Sequence, residues 1–256
     1  MIIQSVERAL EILLLFSYSH PFIGITEIAK ALNISKATAH NLAHTLEKGG
    51  FIDQDRNTKK FRLGVMSLVT GSVASGTLEI NQKSAGPAYH LADHTQLLCR
   101  IGIWSKGRAI VTLNAAPRSR TPFLPLFGPA IPPYCTGLGK VLLAFIDQDE
   151  RRHYLDHARL LPYTHWTITD RSQLEEELET IRSNGYAVTR QEISPGRAGI
   201  ATPIFGSAGL LAGAIILSGD ISQVLGERMS SLISDLTKTA SQISISMGYE
   251  LAEFSR

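Results

Sequence analysis

Between Ile25 and Leu63 the hydrophobic pattern runs from helical to tight turn, back to helical, and then to alternation. This succession limits the fold more than any other feature of the chain. Thr26 is a good N-cap for a short helix reaching Leu32, with Ile28, Ala29 and Leu32 on one side. Asn33-Ile34 makes a tight turn. Ser35 then caps a longer helix in which Ile34 and Ala39 have the N′ and N4 spacing of a hydrophobic staple. Ala39, Leu42, Ala43 and Leu46 recur at i, i+3, i+4 and i+7 and must face a core, and Gly49-Gly50 ends the helix. The opposite face carries Ala37, Asn41, His44 and Lys48, flanked by Thr38, His40 and Thr45, with Ser35 and Lys36 at the leading end. Such side chains can hydrogen-bond base edges or phosphates with no bulky apolar residue in the way. Phe51 to Asp55 and Lys60 to Leu63 read as two strands around Arg56-Asn57-Thr58-Lys59, with Phe61 and Leu63 inward and Lys60 and Arg62 outward. A basic hairpin after a helix-turn-helix is a wing. The candidate contacts to double-stranded DNA are therefore Ser35, Lys36, Thr38, His40, Asn41, His44, Lys59, Lys60 and Arg62.

The charge distribution agrees. Residues 1–64 hold eight basic and six acidic side chains, which accounts for the whole net charge of +2, and residues 30–64 alone carry +4. A small basic module ahead of a neutral remainder is an electrostatic footprint for a polyanion. With 44% hydrophobic residues and dispersed Gly and Pro, the 256-residue chain is neither fibrous nor wholly disordered. Cys99 and Cys135 stand 36 residues apart, which gives no disulfide framework and no paired zinc spacing. The apolar run from Ala9 to Phe16 contains Glu11 and is followed by no small-residue cleavage site, and no stretch approaches eighteen apolar residues. A cytoplasmic protein with no membrane span is expected.

Other elements follow from periodicity. Val6, Leu10, Leu13 and Ser17, widened by Ala9 and Leu14, predict an amphipathic helix over 5–17, stopped by His20-Pro21. Val65, Leu68, Val69 and Ser72 suit a connecting helix ending at Gly76. Beyond it come a helix from Asn81 to His94, a hairpin of Leu97 to Trp104 with Arg108 to Ala115, and a Pro-rich loop over 116–133. Helices follow at Leu138 to Phe145, Asp147 to His157 and Asp170 to Asn184, then strands at Tyr186 to Ile193, Ile200 to Phe205 and Leu210 to Ser218. A terminal helix spans Leu225 to Leu251. The fold class is α+β: a winged helix-turn-helix over 1–64, a linker helix over 65–77, and a domain over 78–256 with a mainly antiparallel sheet.

Catalytic chemistry finds little support. Three His-x-x-x-His pairs, His40/His44, His90/His94 and His153/His157, lack the glutamate of a metalloprotease helix, and there is no Gly-x-Ser-x-Gly elbow. Gly137-Leu138-Gly139-Lys140 looks like the tail of a phosphate loop but has Tyr134 for the first glycine and Val141 for Ser or Thr. No cofactor, metal or enzymatic activity is expected. An enzyme or metal-binding protein using the C-terminal domain is the competing class.

Six blocks, in order, carry a family resemblance: VERALEIL (6–13), ITEIAKALNISKATAHNLAHTLEKGGFI (25–52) with FRLG (61–64), TGLGKVLLAF (136–145), YTHWTITD (163–170), GYAV (185–188), and PG to IATPIF to AGAIILSG within 195–219. The chain resembles the IclR-type transcriptional regulators. The resemblance implies a GAF-like effector domain, a homodimer or homotetramer on operator DNA, and a small organic acid that modulates binding. It places the effector near Cys135, Thr136, Gly137 and Leu138, with the Gly137 and Leu138 amides and the Ser218 hydroxyl able to hold an acid. Where relatives that bind small oxo-acids have an Asp, a Cys and a second Ser, this chain has Thr189, Gly199 and Ile216, which implies a roomier, more apolar pocket for a larger acid. Arg197, or Arg100 on the first strand of the domain, could add a charge-assisted bond to a carboxylate.

Overall fold

The computed structural model describes residues 2–119 and 130–250. The chain divides into two compact units, one ending at Gly76 and the other beginning at Thr77.

The first unit contains α1 (Gln4–Leu15), α2 (Ile25–Ala31), α3 (Lys36–Lys48), a hairpin of β1 (Ile52–Gln54) and β2 (Phe61–Leu63), and α4 (Val65–Thr77). Its core is Ile12, Ile23, Ile28, Ala29, Ala39, Ala43, Ile52 and Phe61. Alanines at 39 and 43, both fully buried, let α3 lie close to its neighbours. The Ser35 hydroxyl accepts from the Thr38 amide at 3.1 Å, as its N-cap position predicts, and Asn33 turns the chain with φ of 51°. Helix α2 starts earlier than Thr26: the cap is Gly24, whose amide donates to the Glu27 carboxylate at 2.6 Å. Glu27 at N3 is the signal that locates this cap.

Two expected faces are corrected. In α1 the core takes Ile12, while Val6, Leu10 and Leu14 are exposed. The apolar residues of α1 spread over more than half of its circumference, so periodicity does not choose the buried side; packing against α3 does. Leu63 is 46% exposed rather than inward. Cover on that side of the wing comes from Ile23, which exchanges hydrogen bonds with Phe61 only.

The second unit opens with α5 (Glu79–Thr95) and a hairpin of β3 (Leu98–Ser105) and β4 (Arg108–Ala115). After β5 (Ala130–Ile131) come α6 (Gly137–Phe145), α7 (Gln148–His157), α8 (Arg171–Asn184), β6 (Ala187–Arg190), β7 (Arg197–Phe205), β8 (Leu211–Asp220), α9 (Ile221–Val224) and α10 (Met229–Ser246). The sheet has the order β5-β4-β3-β8-β7-β6 with every neighbour antiparallel. One face buries Cys99, Ile101, Ile200, Ile215 and Leu217 under α5 and α10. The other holds α6 against a floor of Ala109, Ala187, Ala201 and Ala214, and α8 covers α6 from outside with Leu174, Leu178 and Ile181. Every residue of α6 from Gly137 to Ala144 is buried, which fits a helix apolar on every side except at Lys140. Gly102 of β3 leaves the space that Leu138 fills.

The 116–133 stretch is not wholly loop. Ala130 and Ile131 pair with β4 as an edge strand between prolines, where a missing amide costs least; residues 120–129 lie outside the described set. Strand β6 stops at Arg190 because Gln191 takes φ of 58° and the chain turns through 191–196. The terminal helix is broken at Gly226, so Leu225 precedes α10, and Leu251 lies outside the described residues.

Candidate DNA-binding surface and effector site

Helix α3 presents Ser35, Lys36, Ala37, His40, Asn41, His44, Thr45 and Lys48 to solvent, with Thr38 half-buried. Neighbouring groups already engage part of this face. Thr38 and Ser35 hydroxyls share a 2.9 Å hydrogen bond, Thr45 donates to the Asn41 carbonyl at 2.8 Å, and His44 lies 3.7 Å from Glu47. Asn41 keeps its side-chain amide in the open, one turn from Ala37, whose small side chain leaves a shallow surface.

The wing is a three-pair hairpin, Ile52 to Leu63, Asp53 to Arg62 and Gln54 to Phe61. Its tip is tied by Asp55, whose carboxylate accepts from the Asn57 amide (3.1 Å), the Thr58 amide (2.7 Å) and the Thr58 hydroxyl (2.8 Å). Those bonds, led by the Thr58 amide, hold the carboxyl below its ordinary range. Lys59 takes φ of 57°, and Arg56, Lys59, Lys60 and Arg62 all remain exposed. A fixed tip with four exposed cations is suited to a phosphate backbone.

In the second unit the effector candidates gather on the α6 side of the sheet. Thr136 caps α6: its hydroxyl accepts from the Gly139 amide at 3.2 Å and donates to the Pro132 carbonyl at 2.8 Å. No hydrogen bond from the Gly137 or Leu138 amide is found among the described residues, as expected for the first turn of a helix. Thr189 is opposite Gly199, which is opposite Ser218, and cross-strand partners share a face. The room expected from Gly199 is not there. A methyl group added at Gly199 would come 2.9 Å from Ile216 Cδ1, and one added at Gly137 would come 3.2 Å from the same atom. Ile216 fills the space that a glycine at 199 opens, so this wall is apolar without being roomy. Thr189 is also inside, donating to the Gly199 carbonyl at 3.4 Å.

Cys135 is 1% exposed in the core beside Tyr134, and burial pushes its thiol up to about 12. A thiol in that state is a poor nucleophile. Arg197 is half-buried and donates to Asp220 at 2.6 Å. Arg100, opposite Ile216 on β3, is also half-buried, and its Nε is enclosed with no acceptor among the described residues. Burial, and then the charge of Arg197, lower its pKa.

No local sequence signal announces the burial of Lys140. Its side chain is fully buried, with Nζ 2.7 Å from Glu192 Oε1 and 3.4 Å from Glu177 Oε1, so it cannot serve as a phosphate-loop lysine. Thr164 and Thr167 explain the YTHWTITD block: they donate to the Gln191 carbonyl at 2.8 Å and to the Glu192 carbonyl at 2.6 Å, holding the 191–192 backbone against α6. Burial pushes the Glu192 carboxyl up against the opposing pull of Lys140. Among the described residues no three His, Cys, Asp or Glu side chains converge as metal ligands, and no helix is long and apolar enough to cross a membrane.

A winged helix-turn-helix with a basic wing, followed by an α+β unit, defines a class of DNA-binding regulators. Comparison with known proteins makes the class specific. Residues 5–56 match the IclR helix-turn-helix domain, and residues 73–245 match the domain described as bacterial transcriptional regulator IclR C-terminal. The chain belongs to the IclR family of transcriptional regulators. It is 30% identical over 248 residues to the HTH-type transcriptional regulator XynR of Escherichia coli (strain K12), covering 97% of this chain and 98% of that protein. The crystal structure of an IclR transcriptional regulator from Alicyclobacillus acidocaldarius is similar with a TM-score of 0.81 and 25% identity, covering 96% and 99% of the two chains. An IclR homologue from Microbacterium hydrocarbonoxydans, crystallised in complex with 4-hydroxybenzoate, shares the fold at a TM-score of 0.75 and 18% identity, covering 95% and 99%.

Proposed function

We propose that this regulator reads operator DNA with α3 in the major groove and the wing on the phosphates, and that a small organic acid bound beside α6 modulates that binding. The observation that carries the DNA half is the outward face of α3, where Ser35, Lys36, His40, Asn41 and His44 are exposed while Ala39 and Ala43 on the reverse are buried. Base contact by Asn41 and phosphate contact by Lys60 and Arg62 have different signatures. Asn41→Ala should lose about 1–3 kcal/mol of discrimination at one base pair. Lys60→Ala or Arg62→Ala should weaken binding to every sequence and lower the salt slope by about one. Binding isotherms on operator and random duplexes across salt concentrations separate the two. Equal losses on both duplexes for Asn41→Ala would remove direct readout.

The working form is proposed to be at least a dimer, on a pseudo-palindromic operator. One winged helix offers few base contacts, and two-fold symmetry doubles them at fixed spacing. Helix α4 contributes no buried residue, and Val65, Leu68, Val69 and Val73 are 46–70% exposed. An uncharged apolar face of this kind calls for a partner surface, and a second copy of the same helix meets it isologously. Leu68→Asp should shift sedimentation toward the monomer and weaken operator binding. Wild-type protein that sediments as a monomer at micromolar concentration while binding its operator would end this proposal.

The effector half rests on the unengaged Gly137 and Leu138 amides at the start of α6, on the Ser218 hydroxyl, and on the positive end of the helix dipole. The IclR homologue crystallised in complex with 4-hydroxybenzoate, itself an organic acid, supports this reading.

A further inference from the structure

Resting on the organic-acid reading just given, we propose that Arg100 is the counter-ion of the effector's carboxylate and that the site is built for a single negative charge, which makes the effector a monocarboxylate with an apolar body.

The placement comes from strand register. Arg100 stands opposite Ile216, Leu98 opposite Ser218, Ser218 opposite Gly199, and Arg197 opposite Asp220. Directly opposed residues point to one face, and Ile216 packs in the core beneath α6. Arg100, Ser218 and Arg197 therefore share the α6 side of three adjacent strands, with Ser218 diagonal to both arginines. The charge on Arg197 acts on Arg100, so the two guanidiniums are near one another.

Their situations differ. Arg197 has Asp220 at 2.6 Å. Arg100 has no carboxylate within ion-pair distance among the described residues, and its enclosed Nε has no acceptor. Leaving a guanidinium half-buried beside a second cation and without a counter-ion costs stability, and a chain bears such a cost where a ligand removes it. On this side of the three strands, two arginines and one aspartate leave one positive charge unmatched. A carboxylate can take Arg100 through paired N–H donors, with the Ser218 hydroxyl alongside. Next to that point the wall is Ile216, so the body of the acid meets methyl groups. A second carboxylate would find its nearest free charge already neutralised by Asp220.

The test is thermal unfolding of the full chain with a panel of monocarboxylates (isovalerate, hexanoate, benzoate and 4-hydroxybenzoate), the amide of each, and the diacids succinate and phthalate. At least one monocarboxylate should raise the midpoint, its amide should not, and the diacids should do less. Arg100→Met should raise the midpoint of the ligand-free protein and weaken the active acid about tenfold to a hundredfold, with Arg100→Lys between Met and wild type. If Arg100→Met and Arg100→Lys both keep wild-type affinity for an active acid, the anchor is elsewhere while the organic-acid reading stands. If a diacid binds as well as the best monocarboxylate, the single-charge claim fails. If no acid shifts the wild type, both readings fall together, and a lowered midpoint in ligand-free Arg100→Met would overturn the unmatched charge itself.

Discussion

Replacing Lys140 with Met should lower the stability of the second unit by about 3–5 kcal/mol, the cost of stripping one partner from a buried ion pair. The expectation is large because Lys140 is fully enclosed and Glu192 nearly so, and because Glu192 Oε2 already has no hydrogen-bond partner among the described residues. Without Lys140, burial and the like charge of Glu177 push the Glu192 carboxyl further above its ordinary value of 4.5, opposed by the Ile168 backbone alone. A carboxyl whose folded pKa is raised is favoured in the folded state while protonated, so its contribution is present at low pH and is lost as pH rises through the folded value. The Lys140→Met penalty should therefore be smallest near pH 4.5 and grow toward pH 8. Both tryptophans, Trp104 and Trp166, lie in this unit, so urea unfolding followed by their fluorescence reads it directly. Adding Glu192→Leu should recover most of the loss, since an apolar pair of similar volume replaces a buried ion pair at little cost. A single variant with an unchanged midpoint would mean that water reaches the pair.

The opposite pattern is expected for Gly64→Ala. Gly64 is where β2 turns into α4: its amide donates to the Phe51 carbonyl at 2.7 Å, and the Met66 amide donates to the Gly50 carbonyl at 3.1 Å. A methyl group at Gly64 would sit inside van der Waals contact of the Gly50 carbonyl oxygen and 3.1 Å from the Ile52 amide nitrogen. Both are backbone atoms and cannot swing aside, so the helix end and the base of the wing must separate, at about 3 kcal/mol or more. The winged helix is small and has little stability to spare. Operator affinity should collapse, while the tryptophan-reported transition of the second unit stays where it was. Retained operator binding would show that the hairpin re-seats at little cost.

The first unit was legible in the sequence to the extent that its signals were local. Ser35 as a cap, the staple, the face of α3 and the order of the wing strands all depend on residues a few positions apart. Periodicity alone does not settle the buried face of α1, because Val6, Leu10, Ile12, Leu13 and Leu14 spread over more than half of its circumference and the position of α3 selects Ile12. In the second unit the strands were visible, as were the helix starts at Asp147 and Asp170, which are N-caps in the structure. The loss of room at Ile216, the isolation of Arg100 and the partners of Lys140 were not. Each depends on chain segments tens of residues apart: Lys140 meets Glu192 52 positions away, and no periodicity encodes such a pairing.

The sheet's two-sided burial also says where motion can arise. Arg100 lies between Cys99 and Ile101, and Ile216 between Ile215 and Leu217, and those four flanking residues are all at 0% exposure in the core on the α5 and α10 side. Gly199 is flanked in the same way by Ala198 and Ile200. Any strand shift large enough to follow a ligand would pull these neighbours out of a close-packed layer, which resists even small displacements. The strands and the buried first turn of α6 thus act as a fixed wall, and compliance is left to the tip of the 191–196 turn, where Pro195 and Gly196 are exposed. Motion at this face would fall on that tip, with the sheet and α6 as the surface it moves against.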